Sequence, residues 1–210
     1  MTEHYRDYGY ASTEDAYVSK YVWPVVLRAL SERLAIRRVL ELGCGNGSFA
    51  GLLAGKGYEV SATDLSESGI DIARLAHPNV SFRKASVYED LSGVWGRPFD
   101  AIIALEVVEH LYDPRQFLRR ATTCMEEGGI LILSTPYHGY LKNVALSVLG
   151  RFDRHFDPLW DGGHIKFWSK ATLGQLLTEA GLQMELWQGA GRLPLFWKSM
   201  ILVGRMVRAS

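Results

Sequence analysis

The chain has 210 residues, 48% of them apolar and 22% charged, and its 23 basic and 23 acidic residues cancel. This length and balance fit one soluble domain, with or without a lid, and supply enough apolar side chains for a buried core. A chain with no net charge has no overall field to attract DNA, RNA or acidic lipid, so we do not expect a nucleic acid as its main substrate.

Cellular location is predicted from signals that the sequence lacks. The first residues have no apolar core like that of a signal peptide, and no uncharged apolar run reaches the roughly 18 residues that span a bilayer. Cys44 and Cys124 lie far apart in apolar stretches, a pattern that favours two buried free thiols over a disulfide. We therefore expect a soluble, cytoplasmic protein.

Strand-like and helix-like segments alternate in the first two thirds of the chain. Phe99–Leu105 is almost continuously apolar, as a strand buried on both faces should be. Helices are predicted at residues 66–76, capped by Ser66, and from Pro114 to about residue 124, where Gly128 and Gly129 separate the helix from the next strand. The predicted strands are residues 38–42, 58–63, 80–84, 99–105 and 130–134. This alternation predicts a parallel sheet with helices on both faces.

Other segments surround this sheet within what we interpret as a single domain, residues 1–210. Residues 12–34 look helical, and we assign residues 1–36 to an N-terminal helical cover. Residues 136–168 are rich in Tyr, His and Trp, and intervening segments of this length are usually lids or binding loops. The remaining predicted elements are a helix at 141–149 inside that lid, a helix at 170–180, and strands at 183–188 and 199–205.

The first strand runs into three closely spaced glycines, residues 43, 45 and 47, and then into a helix. Such a turn lets a ligand approach the backbone, although a tight turn without a ligand has the same pattern. A dinucleotide fingerprint places its third glycine where this chain has Ser48, which argues against a nicotinamide oxidoreductase. Glu41 suits a cationic amino group better than a pyrophosphate. Asp64 ends the second strand, where a carboxylate can accept hydrogen bonds from both ribose hydroxyls.

The run Val39–Asp64 resembles motif I and the following segment of class I S-adenosylmethionine-dependent methyltransferases. The resemblance continues through Phe99–Glu106 and Glu127–Leu131 and so covers much of the chain. It implies an α/β, Rossmann-like fold with a seven-stranded, mostly parallel sheet whose last strand is antiparallel. It also implies that S-adenosylmethionine binds across the ends of the first, second and fourth strands.

The same resemblance implies the contacts of each part of the cofactor. The three glycines lie under its methionine part, Asp64 holds the ribose, and Leu65 and Val87 flank the adenine. Ser86 stands where family members often have an aspartate that binds the adenine amino group. The predicted cofactor-binding residues are Glu41, Gly43, Cys44, Gly45, Asn46, Gly47, Asp64, Leu65, Ser86, Val87 and Leu105.

The acceptor side is predicted from the segment after the fourth strand. Glu106, Glu109 and His110 have spacings of three and four, which predict one helical turn. Together with Gly163–Ser169, this segment resembles the ubiquinone-pathway O-methyltransferases, in which a Glu-Glu-His trio is linked to a divalent metal and to a phenolic hydroxyl. The Glu-His pair also occurs in class I methyltransferases that have no metal, where it orders a loop. We name His110, His164 and Glu106 as candidate catalytic residues and assign no metal ligand, with a divalent ion as the alternative.

The predicted activity is methyl transfer from S-adenosylmethionine to a small-molecule acceptor, with a hydroxyl as the preferred acceptor group. Methylation of nitrogen or carbon stays open, as does a non-catalytic, cofactor-binding relative that acts as a partner subunit. The acceptor's identity and the oligomeric state also stay open. Apolar runs with scattered Lys and Arg at 140–149 and 193–207 raise a hypothesis of transient, peripheral membrane contact; packing in the lid and inside the sheet is the alternative.

Overall fold

The structure is a computed structural model that describes residues 7, 9–12, 17–156, 158–160 and 162–207. Parts of the predicted N-terminal cover, such as residues 13–16, lie outside the described residues. Within the described ranges, no helix combines the length and the apolar character needed to cross a bilayer. Both cysteines are buried free thiols, as predicted.

Seven strands form one sheet in the order β3-β2-β1-β4-β5-β7-β6. β1 pairs in parallel with β2 and β4, and β4 pairs in parallel with β5, whereas β7 runs antiparallel between β5 and β6. The prediction of a mostly parallel, Rossmann-like sheet with an antiparallel last strand is confirmed. The strands are β1 (Arg38–Leu42), β2 (Glu59–Asp64), β3 (Ser81–Lys84), β4 (Phe99–Leu105), β5 (Met125–Pro136), β6 (Leu182–Ala190) and β7 (Ser199–Met206).

Helices cover both faces of this sheet, and their first turns follow the capping residues that the sequence places there. Ser66 Oγ accepts a hydrogen bond from Gly69 N, and Asp113 Oδ1 accepts one from Gln116 N, with Pro114 in the first turn. The helices are α1 (Trp23–Ser31), α2 (Ser48–Gly55), α3 (Glu67–Ala76), α4 (Pro114–Thr123), α5 (Tyr140–Val148), α6 (Phe152–Phe156) and α7 (Lys170–Glu179).

The core consists of two apolar layers, one on each face of the sheet. Alternate residues of a strand point to opposite faces, so neighbours such as Val39 and Leu40 enter different layers. Helices α1, α2 and α3 bury apolar residues in the first layer, and α4 and α7 do so in the second. The carboxyl ends of the parallel strands β1, β2 and β4 lie at the same edge of the sheet, which is where open α/β sheets bind their ligands.

Two predicted boundaries are wrong. β5 begins at Met125, not at residue 130, because the segment around Gly128 and Gly129 is an irregularity inside the strand: Phe99 pairs with Met125, and Ala101 pairs next with Ile130. The predicted helix over residues 12–34 is a 3₁₀ turn at Tyr17–Lys20 followed by the separate helix α1, which has a proline in its first turn.

Candidate functional site

The glycine loop, residues 43–47, leaves the end of β1 in a tightly wound conformation. Gly43, Gly45 and Gly47 all have positive φ angles, of 79°, 54° and 76°. The backbone N–H groups of Gly43 and Cys44 donate to Thr63 O at 2.8 and 2.9 Å, which ties the loop to β2. Because non-glycine residues rarely adopt such φ angles, this path of the backbone needs glycine.

Neighbouring atoms leave no room for side chains on the outer glycines of the loop. A Cβ on Gly43 would lie 2.5 Å from Val107 Cγ2, and one on Gly47 would lie 2.6 Å from Ala73 Cβ. The loop therefore presents backbone, not side chains, at the strand ends, which makes it a cradle suited to a bound cofactor.

Asp64 lies at the end of β2, directly against the glycine loop. Its Oδ2 accepts from Gly45 N at 2.7 Å and its Oδ1 accepts from Ser66 N at 2.8 Å, so two backbone amides fix the carboxylate. Burial raises the pKa of Asp64 above its ordinary value. The structure thus places the predicted ribose acceptor beside the predicted methionine cradle.

Glu41 is a buried carboxyl group on β1, behind the glycine loop. Burial, together with the charge of Asp64, raises its pKa well above the ordinary value. Its Oε2 atom is buried and meets no hydrogen-bond donor in the described part of the chain. An unpartnered buried carboxyl oxygen beside a second acid fits a ligand that brings a cationic group.

The other predicted cofactor residues also lie at the strand ends. Leu65, Val87 and Leu105 are half-buried where β2, β3 and β4 end or just after them. Ser86 Oγ accepts from Tyr88 N at 3.2 Å, so its hydroxyl stabilises a local turn. Cys44 is buried. The Nδ2 of Asn46 donates to the backbone carbonyl of Ser12 at 3.0 Å, so this side chain bonds to the N-terminal segment.

Asp7 and residues 9–12 form an N-terminal strap over the glycine loop, and its contacts with the loop were not predicted from the sequence. Tyr10 N donates to Ser68 Oγ at 3.1 Å, and a Cβ on Gly45 would lie 2.6 Å from the Tyr10 hydroxyl. Asp7 accepts from Ser66 Oγ at 2.9 Å and from Ser68 N at 3.2 Å. No local spacing connects residue 10 with residue 45, so this contact arises from tertiary structure alone.

The prediction that Glu106, Glu109 and His110 share one helical turn is wrong. Glu106 has a φ of 54° and lies outside the 3₁₀ turn Val108–His110. Its N–H continues the sheet pairing by donating to Ser134 O at 3.1 Å, so its backbone cannot join the turn that follows. Its carboxyl group accepts from Ser134 Oγ at 2.7 Å and from Ser199 Oγ at 3.2 Å. Burial raises the pKa of Glu106 to about 7.

His164, not Glu106, joins Glu109 and His110 in a compact cluster. One ligand atom from each of the three lies within 4.8 Å of the others, and the two imidazole centroids are 4.9 Å apart. Ile165 N and Lys166 N each donate to Glu109 O at 3.0 Å. These bonds hold the backbone that follows His164 against the 3₁₀ turn that carries Glu109 and His110. Glu109 is buried, and this burial raises its pKa well above the ordinary value.

His110 is held by the backbone of the glycines next to His164. Its Nδ1 lies 2.8 Å from Gly162 O and 3.2 Å from Gly163 O. Carbonyl oxygens only accept hydrogen bonds, so in the neutral ring Nδ1 carries the proton and Nε2 keeps its lone pair. Burial lowers the pKa of His110, which favours the neutral form. Gly162 and Gly163, which precede His164 in the sequence, therefore orient His110 through their carbonyls.

An aromatic cavity of about 520 Å³ lies in the segment between β5 and α7. Three phenylalanines give it an apolar wall, and His138 stacks on Phe156 with ring centroids 5.7 Å apart. The cavity is lined by His138, Asn143, Phe152, Asp153, Phe156, Pro158 and Phe167. Its size and walls suit an apolar or aromatic group.

The strand order, the glycine loop after β1 and the acid at the end of β2 together define a class I methyltransferase. A family model described as a methyltransferase domain matches residues 14–186, and the chain belongs to this family. It is an S-adenosylmethionine-dependent methyltransferase.

The chain is similar to ubiquinone biosynthesis O-methyltransferases of several bacteria. It is 30% identical to that of Xanthomonas campestris pv. campestris (strain B100) over 184 residues, 81% of this chain and 77% of that protein. It is 35% identical to that of Xanthomonas axonopodis pv. citri (strain 306) over 169 residues, 77% and 70% of the two chains. Among solved structures, the magnesium protoporphyrin IX methyltransferase from Synechocystis PCC 6803 with bound S-adenosylhomocysteine (SAH) has a TM-score of 0.65 and 20% identity, covering 88% of this chain and 80% of that one.

Proposed function

We propose that the protein transfers the methyl group of S-adenosylmethionine to a hydroxyl of a small aromatic acceptor. The observation that carries this proposal is His110, whose ring is oriented by Gly162 and Gly163 so that Nε2 keeps the lone pair that can accept a proton. The similarity to ubiquinone biosynthesis O-methyltransferases supports oxygen as the acceptor atom.

The cofactor's place follows from the cradle and the acids. In this proposal the glycine loop holds the methionine part of the cofactor, and Glu41 offsets the positive charge of its amino group. Asp64 holds the ribose. Leu65 and Val87 flank the adenine, Ser86 lies at its edge, and Cys44, Asn46 and Leu105 complete the walls. When bound, the cofactor supplies a sulfonium-activated methyl group.

The chain's own contribution to the reaction is alignment and proton removal. The protein holds the acceptor hydroxyl in line with the methyl group and excludes water. His110 Nε2 takes the proton that the hydroxyl loses as the new bond forms. We assign His164 to the same acceptor wall, and Glu106, with a pKa near neutrality, to a second position that can hold a proton. We assign residues 136–168, which carry the aromatic cavity, as a lid over the site. Residues 1–36 are the N-terminal cover of the same single domain.

The proposed acceptor chemistry is tested by offering the chain labelled S-adenosylmethionine with matched phenols, anilines and sugars. We expect label in the phenols, as methyl ethers identified by NMR. Label that enters only the anilines or a ring carbon would assign the enzyme to N- or C-methylation. Cofactor binding with no transfer to any acceptor class would favour a non-catalytic relative.

A second prediction distinguishes two ways of removing the proton from the acceptor hydroxyl: a histidine base or a bound divalent metal ion. Glu109, His110 and His164 form a plausible donor set for a divalent ion, which would acidify the acceptor hydroxyl. We expect substantial activity to survive EDTA, because the Nδ1 bonds of His110 already orient it as a base. The measurement is the transfer rate before chelation, after it, and after readdition of Mg²⁺ or Zn²⁺. Near-complete loss that added metal restores would mean that the cluster is a metal site.

A third prediction concerns two exposed apolar segments, α5 and residues 193–196. Within the described chain no residue of α5 is buried, and Val148 is 80% exposed. The rest of the suggested membrane segment cannot contribute in this way, because Ser199–Met206 forms the interior strand β7. We propose that α5 and residues 193–196 touch a lipid surface.

Sedimentation with vesicles tests this contact. We expect the unmodified chain to bind vesicles that contain anionic lipid, and Val148→Asp to weaken that binding because it places a charge in the apolar surface. Leu75→Asp, at an 86% exposed position on α3, is the matched control and should not change binding. Failure of the unmodified chain to sediment with neutral or anionic vesicles removes the proposal.

A further inference from the structure

The N-terminal strap crosses the seam between the glycine loop and the start of α3. At one end, Asp7 accepts hydrogen bonds from Ser66 Oγ at 2.9 Å, from Ser68 N at 3.2 Å and from Ser68 Oγ. At the other end, the backbone carbonyl of Ser12 accepts from Asn46 Nδ2 at 3.0 Å. The strap is therefore fastened to α3 on one side of the seam and to the loop on the other.

The Tyr10 ring lies against both sides of this seam. A Cβ on Gly45 would lie 2.6 Å from the Tyr10 hydroxyl oxygen, and a Cβ on Gly69 would lie 3.0 Å from Tyr10 Cδ2. The backbone N–H of Tyr10 donates to Ser68 Oγ at 3.1 Å, which fixes the residue beside α3. Two residues without side chains thus form the surface against which the ring packs, one on the loop and one on the helix.

The strap shares its neighbours with Asp64, the predicted ribose acceptor. Asp64 accepts from Gly45 N at 2.7 Å and from Ser66 N at 2.8 Å. Tyr10 packs on the first of these two residues, and Asp7 bonds to the second. A ligand held by the Asp64 carboxylate therefore lies beside the residues that the strap contacts.

The strap is held by few contacts, most of them polar and exposed. Among its described residues, Tyr10 is half-buried and the others are exposed to solvent. Segments with few buried apolar contacts open locally at a low cost in free energy, and the moving parts of binding sites are drawn from such segments. The strap can therefore lift from the loop while the sheet beneath it stays folded.

We propose that the strap opens to admit S-adenosylmethionine and closes beside it, with Asp7 as the residue that fastens it and Tyr10 as a cofactor-positioning residue. This inference rests on the proposed place of the cofactor at the glycine loop and does not depend on the acceptor atom. In the closed strap, the bonds of Asp7 to Ser66 and Ser68 hold the Tyr10 ring on the loop. Release of SAH requires these bonds to break first.

Stopped-flow binding of SAH to the whole chain measures how fast the ligand enters and leaves. We expect Asp7→Ala to raise the dissociation rate constant by about tenfold, the effect of losing a hydrogen-bonded carboxylate, without slowing association. Damage to the cradle itself would instead lower the association rate constant. Tyr10→Ala should also speed dissociation, whereas Tyr10→Phe keeps the ring and should restore slow release. Asp71→Ala, further along α3, is the matched control and should change neither rate constant.

A double-variant comparison identifies the bonds that fasten the strap. Ser68→Ala removes the hydroxyl that donates to Asp7 and accepts from Tyr10 N, while Ser66, which caps α3, stays in place. Because Asp7→Ala and Ser68→Ala break the same bond, we expect their effects on SAH dissociation not to add in the double variant. Fully additive effects would mean that this bond does not hold the strap, and would overturn the proposal.

Hydrogen exchange of the N-terminal peptide gives a readout that does not require catalysis. Gly9 N donates to Asp7 Oδ1 at 2.7 Å and Tyr10 N to Ser68 Oγ, so both amides report whether the strap is closed. We expect SAH to slow exchange at residues 9–12 in the unmodified chain, and Asp7→Ala to lose most of this protection.

The outcomes distinguish the strap from the other proposals. Saturable SAH binding that leaves exchange at residues 9–12 unchanged, or an unchanged dissociation rate in Asp7→Ala, overturns the role of the strap and leaves the cofactor site standing. Tighter SAH binding by Tyr10→Ala would mean that the ring occupies the cofactor's place, and would also overturn it. Absence of SAH binding would overturn the cofactor site and the strap together. Because SAH is the probe, a failure of hydroxyl transfer affects neither readout.

Discussion

Replacing His110 with alanine is expected to lower kcat by about 10²–10⁴-fold, the usual contribution of a general base, while SAH binds as tightly as before. We expect kcat to fall without a change in SAH affinity because the His110 ring is held by Gly162 O and Gly163 O, whereas other residues build the cofactor cradle. Single-turnover rates and SAH titrations of the same preparation measure the two effects independently.

The pH dependence of kcat gives an independent check on His110. Burial holds the pKa of its imidazole below the ordinary value of 6.5, so the ring is already neutral at pH 7. We expect a plateau at neutral pH and a decline only in acid, as the base becomes protonated. His110→Ala should lose that acid limb, whereas His77→Gln, at the end of α3, should keep both rate and profile. An unchanged kcat in His110→Ala would exclude it as the base.

Replacing Asp64 with alanine is expected to weaken SAH binding by about 1.5–3 kcal/mol, the scale of losing hydrogen bonds to a charged acceptor. Asp64 also orients the loop by accepting from Gly45 N and Ser66 N, so part of the loss reflects a less ordered cradle. Asp64→Asn helps to separate the two effects, because its amide oxygen can still accept one of these bonds without the charge.

The matched control for this experiment is Asp71→Ala. Asp71 lies on the neighbouring helix α3 with its side chain 65% exposed, near Arg74 at 3.7 Å, and it has no part in the cradle. Its replacement should leave SAH affinity unchanged. Thermal unfolding of both variants shows whether the fold is intact. A dissociation constant for Asp64→Ala equal to that of the unmodified chain would mean that the ribose is held elsewhere.

Much of the sheet was predictable because its signals are local. The apolar run Phe99–Leu105, the cap at Ser66 and the proline at residue 114 each report on neighbours within a few residues, and the corresponding elements begin there. The glycine loop and Asp64 were found for the same reason, since the turn that joins β1 to α2 needs positive φ angles.

The acceptor side was harder to predict because long-range contacts decide it. Spacing alone put Glu106 on a helical turn, yet its pairing with Ser134 keeps it at the end of the strand. His164 reaches His110 only because the backbone after Gly163 bonds to Glu109 O. The strap through Tyr10 depends on a contact between distant segments, Tyr10 with Ser68, which carries no periodic signal in the sequence.

The most direct test of the central claim, a methyl-donor site on the glycine loop, is calorimetric titration of the unmodified chain with SAH and, separately, with NAD. The geometry predicts saturable binding of one SAH per chain and no binding of NAD. Ser48 replaces the third glycine of a dinucleotide turn, and the buried Oε2 of Glu41, which meets no donor among the described residues, lies behind the loop. Binding of NAD without binding of SAH would contradict the account.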